Sequence, residues 1–281
     1  MSSALFLINP ISGKGRKDKI LAALKDAGHR AVVTEYAGQA ETLAHEAPED
    51  IVVAVGGDGT VNEVARGLLG TGKTLGILPC GSGDGLARCL NISHDMSKSL
   101  KIIENGKTRP LDAGYVNGKP FFSVCGVGFD ADVSRMFALS GKRGVTTYIT
   151  KALELWKSFR PETYTISIDG KEWTQDAVLV TVGNSNQWGN GAKITPRADC
   201  GDGMLDVTVL DMFRSVEIPH LAAMLMEGHC DACRQVHCYR GRHIVISRAS
   251  SGPAHFDGDW FDVGEVLDIS VSPSALRILV P

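Results

Sequence analysis

The chain has 281 residues, 43% hydrophobic and 22% charged, with 29 basic and 32 acidic side chains giving a formal net charge of −3. That length and balance belong to a globular protein with room for two cores, and they exclude a general electrostatic pull toward nucleic acid or anionic lipid. No apolar run approaches the roughly 18–20 residues that span a bilayer, the start lacks the basic region of a secretion signal, and seven cysteines read as reduced cytosolic thiols.

The first hundred residues alternate. "ALFLIN" is a short apolar strand, "DKILAALKDAG" a helix stopped by glycine, and "AVVTEY" a second strand. "AETLAHEA" follows as a helix, "DIVVAV" as a strand, "TVNEVARGLLG" as a helix and "LGILP" as a strand, before "SGDGLARCL" enters a helix. Continuous apolar strands between amphipathic helices predict a parallel sheet covered on both faces.

Beyond Thr108 the pattern changes to short alternating runs: "KPFFSVCG", "YTISIDGKEW", "DAVLVTVGN", "MLDVTVL", "GRHIVISRAS" and "EVLDISVSP". Asp169-Gly170 divides "YTISIDGKEW" into two alternating runs as a hairpin turn would. Helices are expected around "TTYITKALELWKSF" and "SVEIPHLAAMLMEG". This half predicts an antiparallel sandwich or barrel. The expected domains are therefore residues 1–107 and 108–274.

Three glycine turns fall where predicted strands meet helices. In "NPISGKG", Lys14 stands between Gly13 and Gly15, which suits an anion but equally an Asn-Pro turn; the spacing is not that of a P-loop. In "GGDGTVNE", Gly56, Gly57 and Gly59 let backbone approach a ligand, and Thr60 or Asn62 can cap the helix. Asp58 sits among them, where a carboxylate repels phosphate unless a hydrated Mg²⁺ intervenes or it merely braces the turn. "CGSGDG" brings Gly81, Ser82, Gly83 and Gly85 after the next strand. Two such turns at successive parallel strands share the edge where doubly wound sheets bind nucleotides.

The second half carries two acidic turns. Asp199 and Asp202 in "ADCGDGM" form an oxygen-rich loop suited to a hard cation or to solvent. Asp257 and Asp259 in "FDGDW" read as a hairpin, or as a general base and metal anchor. "HCDACRQVHC" imitates zinc-ligand spacing, but all its ligands lie in one short segment, and buried thiols are the expected outcome.

In this order "NPISGKG", "VGGDGTVNEVARGL", "LPCGSGDGLAR", "VCGVGFDADV", "ITPRADCGDGMLDVTVL" and "FDGDW" resemble the diacylglycerol kinase catalytic-domain family, across nearly the whole chain. The resemblance implies an α/β N-terminal domain with a parallel sheet, like that of NAD kinases, and a C-terminal antiparallel β-sandwich. It also implies an active cleft between them and a final strand, residues 275–281, returning to the first domain. It implies a lipid kinase using ATP and Mg²⁺, with diacylglycerol or a sphingoid-type lipid as acceptor. Asn9, Thr34, Gly56, Gly57, Asp58, Gly59, Thr60, Val61, Asn62, Gly81 and Ser82 would contact the nucleotide. Asp202, with the carbonyls of Asp199 and Met204, would hold a structural or regulatory Mg²⁺. Asp257 would be the catalytic base, and Asp58 with Asp259 would orient the catalytic metal.

Two departures stand out. Asp259 replaces the family's usual Glu, and Asp84-Gly85 replaces its usual Asn-containing pair. The implied partners are a lipid alcohol and transient contact with a membrane surface, with no nucleic acid and a homodimer left open. The implied location is cytoplasmic with peripheral membrane association. Val127, Phe129, Met136, Phe137, Leu153 and Trp156 are candidates for an acyl pocket or for ordinary core, and Lys142 and Arg143 for headgroup contact. Rival expectations are a NAD kinase-like phosphotransferase and a non-catalytic lipid- or nucleotide-binding regulator.

Overall fold

The computed structural model describes residues 4–12, 17–141 and 145–281. The chain divides into two compact units, Met1–Ala113 with Pro273–Pro281, and Gly114–Ser272. Residues 13–15, and with them the anion-binding expectation for Lys14, lie outside the described residues, as do Lys142 and Arg143.

In the first unit, β1 (Ala4–Ile8), α1 (Lys17–Asp26), β2 (Arg30–Val33), α2 (Gln39–Glu46), β3 (Ile51–Gly56), α3 (Asp58–Leu68), β4 (Thr74–Pro79), α4 (Gly85–Cys89) and α5 (Met96–Asn105) follow in order. The strands run β2-β1-β3-β4, all parallel. Every residue of β1 and of β4 is buried, which is why these strands read as unbroken apolar runs. Helix α3 buries Val61, Val64, Ala65 and Leu68, an i, i+3, i+4, i+7 stripe. Its Gly67 lets α2 approach closely, since a Cβ there would lie 2.2 Å from the carbonyl oxygen of Glu41.

The second unit opens with the end of β5 (Lys107–Val116), then β6 (Lys119–Phe121), β7 (Val124–Gly128), α6 (Phe129–Leu139), α7 (Val145–Trp156), β8 (Glu162–Ile168), β9 (Lys171–Ala177), β10 (Leu179–Gly183) and β11 (Leu205–Leu210). After α8 (Ile218–Glu227) come β12 (Val236–Gly241), β13 (His243–Arg248), β14 (Gly252–Phe256), β15 (Asp259–Val263) and β16 (Val266–Val280). One antiparallel sheet has six strands in the order β12-β11-β10-β7-β14-β15. The other sets the first half of β16 against β13, β8 and β9, again antiparallel. Their inner faces meet in one core. Tyr164, Ile166, Ile244, Ile246, Leu267 and Ile269 come from one sheet, and Cys125, Val127, Val180, Val182, Val207 and Val209 from the other. This is the predicted sandwich.

The hairpin at Asp169-Gly170 is present, with φ of 48° and 84° and Ile168 paired to Lys171. Three features differ from the sequence reading. "DAVLVTVGN" is not one strand: its first two residues end β9 and, after a bend at Val178, Leu179–Gly183 form β10. "KPFFSVCG" is not one strand but β6 and β7, broken at Phe122-Ser123 because amides there turn onto the Asp257 side chain. Helix α6 was also not expected; it opens with Asp130 and Asp132 in its first turn, favourable charges at a helix N-terminus.

Candidate active site

In the first unit the two glycine turns touch. A Cβ on Gly81 would lie 2.6 Å from the Cα of Gly57 and 2.6 Å from Oδ1 of Asp84, and a Cβ on Gly57 would lie 3.2 Å from the Cα of Gly81. Register explains the meeting: β3 and β4 pair through Gly56 and Pro79, so both turns leave the same edge.

Asp58 joins them. Its Oδ2 accepts the Asp84 amide at 2.9 Å and its Oδ1 the Gly85 amide at 2.7 Å. Asp84 closes the loop from the other side. Its Oδ1 accepts the Gly81 amide at 3.1 Å and its Oδ2 lies 3.0 Å from Nε2 of His94. Burial pushes both carboxyls above their ordinary value. For Asp84 the charge of Asp58 adds to the rise and His94 opposes it; for Asp58 the two backbone bonds and Arg88 oppose it.

Around this clasp, Asn9 donates from Nδ2 to Oγ1 of Thr60 at 3.1 Å, and Thr60 in turn packs on Gly56, where a Cβ would lie 2.4 Å from that oxygen. Thr34 donates its hydroxyl to the carbonyl of Ile8 at 3.3 Å. Thr60, Val61 and Asn62 are buried along α3, whereas Gly59 and Ser82 are exposed and Gly57 and Gly81 half-buried. The surface offered to a ligand is therefore glycine backbone and the Ser82 hydroxyl. A cradle this bare, with its carboxylate turned inward onto amides, fits the phosphates of ATP.

In the second unit Asp257 and Gly258 form the turn of the β14–β15 hairpin, with φ of 48° and 90° and Phe256 paired to Asp259. The Asp257 carboxylate accepts three amides: Phe122 at 2.8 Å, Ser123 at 2.7 Å and Val124 at 3.2 Å. Its own amide donates to the carbonyl of Val124 at 2.9 Å. These amides fix the orientation of the carboxylate. Asp259 is exposed.

Beneath that hairpin lies a cluster that sequence reasoning missed. Asp130, 4% exposed, accepts from the Thr181 hydroxyl at 2.8 Å and lies 2.8 Å from Nε2 of His255. It ties α6 to β10 and β14, two residues before Asp257. Asp130 stood in the quoted "GFDADV", but no spacing joins residue 130 to 255. Of the acyl-pocket candidates, Val127 is sandwich core, Phe129 and Trp156 pack edge-to-face at 5.4 Å, and Leu153 is half exposed.

Loop 199–205 holds the implied Mg²⁺ ligands. Asp199 Oδ1 accepts the Gly201 amide at 3.1 Å, and Asp202 Oδ1 the Met204 amide at 3.0 Å. Asp202 Oδ2 is taken by Nη2 of Arg240, whose Nε lies 3.3 Å from Oδ2 of Asp206. Burial pushes the Asp206 carboxyl up to about 6 despite that neighbour. Among the described residues no group of three or more His, Cys, Asp and Glu side chains is placed to hold a metal. The donor set at Asp199, Asp202 and Met204 does not fit a divalent cation, because a guanidinium already occupies its one side-chain ligand. In "HCDACRQVHC", Cys230 points its thiol at the carbonyl of Lys193 at 3.3 Å and burial pushes it up to about 12, while His237 pairs with Asp211 at 2.7 Å.

Comparison with known proteins agrees with this architecture. Residues 3–116 match the model of the diacylglycerol kinase catalytic domain, and residues 123–280 that of the YegS C-terminal NAD kinase beta sandwich-like domain. The chain is 30% identical over 274 residues to a diacylglycerol kinase of Bacillus subtilis (strain 168), covering 92% of this chain and 90% of that one. It is 30% identical over 292 residues to a diacylglycerol kinase of Mycobacterium tuberculosis (strain ATCC 25618 / H37Rv), covering 98% and 94%. A crystal structure described as a diacylglycerol kinase from Bacillus anthracis str. Sterne shares the fold, with a TM-score of 0.77 at 20% identity over 100% of this chain and 97% of its own. With one model on each half and relatives at 30% identity over nearly its full length, the chain belongs to the diacylglycerol kinase family of lipid kinases.

Proposed function

We propose that the chain transfers the γ-phosphoryl group of ATP to a hydroxyl of a lipid alcohol, with diacylglycerol the first acceptor to try, since relatives are named for it. The observation that carries the proposal is the pair of touching glycine turns, bare of side chains outside and clasped by Asp58 within. Phosphoryl transfer depends mainly on alignment and charge neutralisation, for which such amides are suited. Gly57, Gly59, Gly81 and Ser82 orient the phosphates. Mg²⁺, when bound with the nucleotide, would supply the remaining positive charge. Asp58 holds the turns in register rather than meeting phosphate itself.

Asp257 accepts the proton of the acceptor hydroxyl, its carboxylate oriented by the amides of Phe122, Ser123 and Val124. No helix among the described residues is long and apolar enough to cross a membrane; the proposed encounter with a lipid acceptor is transient contact with a membrane surface. The proposed location is cytoplasmic.

The test is purified protein with labelled ATP against a panel of lipid alcohols and NAD, with products separated by thin-layer chromatography. A labelled lipid supports the reading. Labelled NADP alone overturns the acceptor class, and no transfer to any acceptor overturns catalysis. In the same assay Asp257→Asn lowers turnover on the order of 10²–10⁴-fold with nucleotide binding retained. Near-normal turnover of that variant removes Asp257 as base.

A further inference from the structure

We infer that Arg240 closes loop 199–205 as an internal cation, in the place where the resemblance expects a divalent metal, so that the order of this loop does not depend on Mg²⁺. The inference starts from register. β11 and β12 pair antiparallel with Asp206 directly opposite Arg240, so both side chains leave the same face of the sheet. From there the guanidinium reaches two carboxylates at once: Nη2 meets Oδ2 of Asp202, and Nε lies 3.3 Å from Oδ2 of Asp206.

The loop's other acceptors are also turned inward. Asp202 Oδ1 takes the amide of Met204, and Asp199 Oδ1 that of Gly201. A divalent ion at Asp202 would have to displace the guanidinium or stand beside a like charge. Arginine suits this position: its planar fork addresses two carboxylates together and stays charged at any working pH. The Arg240 and Asp202 side chains are 44% and 31% exposed, so that contact is a surface pair open to screening, whereas Asp206 is 13% exposed and its contact is screened less.

One consequence is that the chain's requirement for Mg²⁺ is confined to the nucleotide. The inference does not rest on the proposed reaction, and neither does its test. The full chain is melted in EDTA and in MgCl₂ up to 10-fold above the ATP concentration of the assay, with ionic strength matched and no nucleotide present. The wild-type melting temperature is expected to be the same in both. Arg240→Gln, which keeps some hydrogen bonding but removes the charge, is expected to melt about 2–4 °C lower in EDTA. A saturable rise of the wild-type melting temperature with Mg²⁺ that Asp202→Asn abolishes overturns the inference, as does an Arg240→Gln protein that melts with the wild type in EDTA. Should Arg240→Gln fail to fold, the wild-type titration decides alone.

Discussion

Asp84 sits where the two glycine turns meet. It holds a left-handed conformation with φ 48° and is 3% exposed, with a second buried carboxylate, Asp58, receiving its amide. Burial and that neighbouring charge raise it, and His94, 3.0 Å from its Oδ2, opposes the rise. The folded chain therefore keeps protons on this pair at pH values where the unfolded chain, titrating near 3.8, has lost them. Stability from this source is full below 3.8 and is lost as pH rises through the raised values. Asp84→Asn removes the second charge, keeps an acceptor for the Gly81 amide, and places at a left-handed position a residue that tolerates it. The variant is expected to be more stable by on the order of 1 kcal/mol at pH 7.5 and equal to wild type near pH 4, read by urea unfolding at the two pH values. The residue types of the site could be read from the chain, because glycines and an aspartate between strand and helix are unusual. Their bonds could not: Asp58 to Gly85 and Asp257 to Phe122 join positions 27 and 135 residues apart.

Between elements, the decisive contact is backbone on backbone. Gly81→Ala forces a methyl group to within 2.6 Å of both the Gly57 Cα and the Asp84 carboxylate, neither of which is the free end of a flexible side chain. The turns must separate, and overpacking of this kind costs about 1–3 kcal/mol. Gly59→Ala is the informative partner, since nothing lies within 4 Å of its added methyl and the residue sits in the first turn of α3. Binding of a fluorescent ATP analogue is expected to fall in both variants, whereas the melting temperature falls only for Gly81→Ala. Equal melting of the two would show that the close approach of the turns is not what holds them. The same scale separates what pattern reveals from what it hides. Runs such as those of β1 and β4 announce a sheet covered on both faces, and the alternation of β8 announces a sheet with one face covered. The break between β6 and β7 had no local signal, because its cause is a side chain from the far end of the unit.

At the scale of the whole molecule, the chain's last residues belong with its first. Pro273–Pro281 lies in the first unit, where Arg277 and Ile278 pair in parallel with Thr74 and Leu75 of β4. Leu276, Ile278 and Leu279 are at most 5% exposed. The Ser274 amide donates to Asp112 at 2.7 Å, and the guanidinium of Arg277 donates to the Gly72 carbonyl. Burying three aliphatic side chains contributes about 1.5–3 kcal/mol each, a sum comparable with the roughly 5–15 kcal/mol by which a domain is stable. Removing them also leaves β4 as an unpaired edge. A chain ending at Ser272 is therefore expected to lose the first unit while keeping the second, whose core draws only on residues 114–272. Limited proteolysis with mass spectrometry reads this directly: early cuts should fall throughout residues 4–113, and a fragment covering 114–272 should survive. Uniform resistance with a wild-type melting temperature would mean that the last strand is dispensable. Uniform digestion would mean that the sandwich depends on the first unit for its own stability.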